Sequence, residues 1–145
     1  MNQAIIEMFK ASQRASKAFT ACKSELEKKN FSAVNFGNRL ATLTLESGTF
    51  ENESTAFMMG SIKRKEAQAA QKAYESDKDN EQLAEKTLET SMEAQEAEKD
   101  GAESVSRAAV RMAAIERLAV ELAAARRAKN DKRRKEILKE LRKVM

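Results

Sequence analysis

Residues 105–125 read VSRAAVRMAAIERLAVELAAA, and this stretch decides the fold class. Val105, Ala108, Met112, Ile115, Ala119 and Leu122 follow one another at steps of three and four, which sets all six on one stripe of an α-helix. Around them, Ala108, Ala109, Ala113, Ala114, Ala119, Ala123, Ala124 and Ala125 leave room for a neighbouring backbone to come unusually close. A helix with this face packs in a pair, through a narrow seam rather than a thick core.

The same spacing recurs at the other end of the chain. Ile5, Met8, Ser12, Ala15, Phe19, Cys22 and Leu26 form a stripe over residues 2–29 at the spacing coiled coils use, thin in its middle where serine and alanine stand. Ile6 and Phe9 widen its apolar face near the start. Asn30 offers a break, and Phe36, Leu40 and Leu43 predict a second helix over residues 32–47, with Gly48 where a helix end favours positive φ. Thr42-Leu43-Thr44-Leu45 alternates as a strand would, but no partner strand is evident.

From about Asn52 the chain reads as helix again, with Phe57, Met58 and Ile62 leading into an Ala/Gln/Lys-rich run over residues 66–75. Asp79 with Gln82 has the form of a capping box. Beyond it Leu83, Leu88 and Met92 are the only large apolar residues through Lys99, so this helix is expected to be mostly solvated. Asp100-Gly101 is the best candidate for a hinge, Gly101 ending one helix and Asp100 with Glu103 capping the next. A further stop falls near Lys129-Asn130-Asp131, followed by a short helix over 132–144 with Ile137, Leu138, Leu141 and Val144.

Composition agrees with helix throughout. The 145 residues include no proline and four glycines, and helix formers dominate. Charged residues make up 34% and aromatics 5%, too few large side chains for a thick interior. The mean hydropathy of −0.66 would also suit a disordered chain, but apolar residues recurring at helical period argue for order. The expected fold is all-α: four or five helices in elongated hairpins or a coiled-coil-like bundle, without substantial β-sheet. The expected regions are an N-terminal hairpin (1–50), an acidic long helix (51–100), and an Ala-rich helix followed by a basic one (101–145), in one continuous helical unit.

Charge is strongly polarised along the chain. Residues 75–100 carry ten acids against three bases, and residues 126–145 ten bases against three acids. Arg126, Arg127, Lys129, Lys132, Arg133, Arg134 and Lys135 are the candidate contacts to nucleic-acid phosphates or to an acidic partner. No aromatic residue in the tail could stack on bases, and no zinc or RNA-recognition motif accompanies it. The alternatives are that the tail meets the acidic segment, in the same chain or in another copy, or that both are solvated faces. Lys132-Arg133-Arg134-Lys135 also resembles a short nuclear-import signal, a pattern that basic helices produce by chance.

Nothing in the sequence has the form of an active site. There is no histidine, so the commonest general base and metal ligand is missing, and the lone Cys22 sits on an apolar stripe. Glu85, Glu89, Glu93 and Glu96 share one side of a helix, but a di-metal carboxylate bundle would pair them with histidines. No cofactor or metal is expected. The segment MNQAIIEMFKASQ lacks the basic-then-apolar form of a signal peptide, so an intracellular setting is expected. No run of eighteen apolar residues occurs.

These features point to a non-enzymatic assembly protein: an adaptor, scaffold or structural component. Small helical subunits of virus particles and secretion machines offer a compositional analogy. At roughly 25 cal/mol per Å² of apolar surface, thin Ala-rich seams supply little, and a second chain is the natural source of the missing burial. The expected contact residues are Ile5, Phe9 and Phe19 at one end and Met112, Ile115, Leu118 and Leu122 at the other.

Overall fold

The computed structural model describes residues 13–145. Among these residues the fold is all-α, with five helices and no strand: α1 (Gln13–Leu26), α2 (Ala33–Ser47), α3 (Glu51–Ser76), α4 (Glu81–Arg127) and α5 (Asp131–Val144). The described chain divides into two compact units, one of residues 13–51 with 106–145, the other of residues 52–105.

The first unit holds the large buried side chains. α1 packs on α2, and Phe19, Phe36, Leu40, Leu43, Phe50, Met112, Ile115, Leu118, Leu122, Ile137 and Leu141 are all at most 2% exposed. Ser32 starts α2 by accepting the Asn35 N–H at 3.2 Å, and Gly48 ends it at φ 72° with its N–H on the Thr44 carbonyl. The alternating Thr42–Leu45 segment lies inside α2. Its hydroxyls, and that of Ser47 after it, are absorbed by the helix: Thr42, Thr44 and Ser47 each donate to the carbonyl four residues earlier, at 3.2, 2.9 and 2.8 Å.

α4 ends in a Schellman motif. Lys129 adopts φ 54°, its N–H bonds the Arg126 carbonyl, and the Asn130 N–H reaches Ala125 at 2.9 Å. Asn130 then caps α5 by accepting the Arg133 N–H at 3.1 Å. One residue thus closes one helix and opens the next, at the stop expected from the sequence. Arg111 ties down the far end of α5, donating to the Val144 and Met145 carbonyls at 2.8 and 2.7 Å. Its guanidinium also lies 4.6 Å from the centre of the Phe50 ring.

The second unit is the antiparallel pairing of α3 with the first part of α4. The turn between them differs from the expected capping box: the Asn80 side chain, not Asp79, accepts the Leu83 N–H, at 3.2 Å. The Asn80 N–H bonds the Asp77 carbonyl, so the turn runs one residue further before helix begins. Gly101 is no hinge, because α4 runs unbroken from Glu81 to Arg127. Gly101 is buried instead, and a Cβ there would lie 3.3 Å from both the Ala56 carbonyl oxygen and the Phe57 Cα. Gly60 makes the reciprocal approach, with Ala97 O and Glu98 Cα at 3.1 and 3.2 Å. Both glycines serve close backbone contact, at a cost within the helix of roughly 1 kcal/mol each.

Candidate interaction surfaces

The apolar stripes have distinct fates. Ile5 and Phe9 lie outside the described residues. Phe19, Met112, Ile115, Leu118 and Leu122 are buried by this chain itself, so the burial that the sequence suggested a second chain would supply is made internally in the first unit.

The second unit contrasts with this. Its buried seam contains Gly60, Ala67, Ala70, Ala94 and Gly101, with Phe57 and Leu83 only half-buried. Thr87 crosses the seam, its hydroxyl donating to the Ala70 carbonyl at 3.2 Å. A groove of about 360 Å³ lies beside the seam, lined by Ala69, Ala70, Ala73 and Leu83 and rimmed by Glu66 and Lys86. The large apolar residues of this unit point outward: Met58, Met59 and Ile62 on α3, and Leu88 and Met92 on α4 at 68% and 69% exposure. Sequence periodicity had marked Leu88 and Met92 as a poor face. Their exposure agrees with that reading, and the seam of small residues beside them is visible only in the fold. Ion pairs flank the seam, Lys63 with Glu93 at 3.7 Å and Arg64 with Glu98. The Arg64 bond holds the Glu98 carboxyl below its ordinary range.

The basic tail divides by helix face. Arg133 pairs with Glu121 at 2.9 Å and Glu136 at 3.4 Å, and Arg134 with Asp131 at 3.6 Å. Arg126, Arg127, Lys129, Lys132 and Lys135 are exposed. Ile137 and Leu141 anchor the inner face of α5, which turns Lys132, Lys135, Lys139 and Arg142 outward as one stripe. Lys139 and Arg142 belong to this surface, although the sequence cluster ended at Lys135.

Two ionisable groups sit inside the first unit. Glu25 is 1% exposed and receives Lys28 Nζ at 2.9 Å and the Ser32 N–H at 3.3 Å, with Arg39 at 3.7 Å. The Lys28 hydrogen bond is the chief cause of a lowered carboxyl pKa, opposed by burial and helped by Ser32 and Arg39. Glu25 thus fastens the end of α1 to the amide end of α2. Burial pushes the Cys22 thiol up to about 12, against a smaller opposing pull from Arg39. It stays protonated at neutral pH, which suits a small core residue rather than a nucleophile.

A further groove of about 380 Å³ in the first unit is lined by Leu26, Met112, Ala113 and Val120 beside the Lys23–Glu116 pair, whose atoms are 2.8 Å apart. That hydrogen bond raises the Lys23 pKa. Among the described residues, no three His, Cys, Asp or Glu side chains gather to hold a metal ion. No helix there is long and apolar enough to cross a membrane. No protein-family model, curated protein or solved structure matches this chain.

Proposed function

We propose that this protein is a non-enzymatic assembly component, an adaptor, scaffold or structural subunit that works through helix–helix contacts inside a larger oligomeric complex. The observation that carries this reading is the make-up of residues 52–105. Five of its nine buried residues are glycine or alanine and the others are Glu53, Ser54, Ser104 and Val105, while Met58, Met59, Ile62, Leu88 and Met92 remain exposed. A paired helix with this distribution gains little by folding on its own and offers its apolar area to a neighbour. The buried thiol and the absence of histidine support a role without chemistry.

The test is molar mass in solution over a range of concentrations, by sedimentation or light scattering. Mass rising above that of one chain in the micromolar range is expected. A monomer throughout, in the native lysate as well as after purification, contradicts the proposal.

A further inference from the structure

Two exposed stripes of opposite charge stand on different units of this chain. On α4, Glu85, Glu89, Met92 and Glu96 follow at steps of four, three and four, with Leu88 beside them. Residues 81–100 carry seven acids against two bases. A shallow depression of about 570 Å³ runs along this face, lined by Glu89, Met92, Glu93 and Glu96 among others. On α5, Lys132, Lys135, Lys139 and Arg142 follow at steps of three, four and three, and residues 131–144 carry seven bases against three acids.

At 1.5 Å per residue the two stripes have matching spans, each roughly 15 Å. Among the described residues, Glu85, Glu89 and Glu96 make no ion pair, nor do Lys132, Lys135, Lys139 and Arg142, whereas neighbouring Glu93, Glu98, Arg133 and Arg134 do. Glu93, Glu98 and Arg133 pair with a neighbouring helix of their own unit, whereas the charges of the two stripes have no such pair.

Resting on the assembly reading above, we infer that the acidic stripe of α4 is the docking site for the basic face of α5 of a second copy of this chain. Charge complementarity selects the partner and its register, and burial of Leu88 and Met92 adds apolar contact. The contact is heterologous: each copy that donates its α5 still has a free α4 stripe. Copies therefore add head to tail, into a ring if the rotation closes and an open filament if it does not.

The experiment compares the full-length chain with two charge-reversed variants, Glu85→Lys/Glu89→Lys/Glu96→Lys and Lys132→Glu/Lys135→Glu/Lys139→Glu/Arg142→Glu. Each variant alone is expected to associate at least about tenfold more weakly than the parent. An equimolar mixture of the two regains association, because each reversed stripe then meets its complement. Association of the parent also falls roughly tenfold as salt is raised beyond the screening range, which reads the same contact without mutation. Parent-like self-association of both variants, with helicity intact by circular dichroism, overturns the contact while leaving assembly standing. A parent chain that stays monomeric at every concentration overturns both. Salt-sensitive oligonucleotide binding by that monomer, lost in the α5 variant, would assign the basic stripe to nucleic acid instead.

Discussion

The two units of this protein solve helix packing in opposite ways. Residues 13–51 with 106–145 bury phenylalanine, leucine, isoleucine and methionine, and leave a basic helix face outside. Residues 52–105 pack through glycine and alanine and keep their methionines outside. Large side chains give the first unit its own stability by removing apolar area from water. The second gains close backbone approach and dispersion contact but little such area. The difference teaches that one chain can carry a core of large side chains together with a helical pair that keeps its large apolar residues exposed.

The largest effect should come from the first unit. Ile115→Ala is expected to cost about 2–5 kcal/mol, since the side chain is 0% exposed and its removal leaves a cavity. Denaturant unfolding checks this, and a cost below about 1 kcal/mol would break the contrast. Next, Gly60→Val should destabilise residues 52–105 by about 1–3 kcal/mol, because the atoms its side chain meets are backbone at Ala97 and Glu98. Amide exchange should quicken across 52–105 and change little around Leu40 and Ile115. A stabilising outcome would show that the helices can separate freely and that the close approach is dispensable.

The buried groups with shifted pKa values, Glu25 and Cys22, belong to the first unit. Glu25 has a folded pKa below its ordinary 4.5, so its contribution is complete above that value and is lost as pH falls through the folded one. Glu25→Gln should flatten the acid limb of the stability profile, and an unchanged limb would contradict this. Cys22 acts at the other extreme. Its stabilising effect is complete below an ordinary pKa of 9.0 and is lost as pH rises toward about 12, so Cys22→Ala should lessen the alkaline decline. The smallest effect is expected of Arg64→Ala, because Arg64 and Glu98 are both more than a third exposed and solvent screens their attraction. Its unfolding midpoint should match the parent's. A loss comparable with that of Gly60→Val would mean that charge holds the helical pair together.

Much of the fold was legible because helix periodicity is local. The stripes through Phe19 and Cys22, through Phe36, Leu40 and Leu43, and from Val105 to Leu122 are buried as their spacing requires. The helix end at Gly48 was legible from cap chemistry, and the break near Asn130 was legible as a stop, but the capping roles of Ser32 and Asn130 emerge only in the fold. Gly101 misled because a glycine that breaks a helix and one that admits a neighbouring backbone look alike until the neighbour is known. Asn80 took the capping role from Asp79 because the cap position depends on where the preceding turn closes. The proposed interaction surface was hardest to read. Periodicity identifies apolar faces but does not tell which chain covers them: Met112, Ile115, Leu118 and Leu122, expected to meet a second chain, are buried within the first unit.

The most direct measurement is native-state hydrogen exchange of the full-length chain at submicromolar and at high micromolar concentration. The account predicts concentration-independent protection of the amides around Leu40, Leu43, Ile115 and Leu118. It also predicts protection of residues 52–105 that is weak when dilute and rises as copies cover Leu88 and Met92. Equal, concentration-independent protection of both units would contradict it.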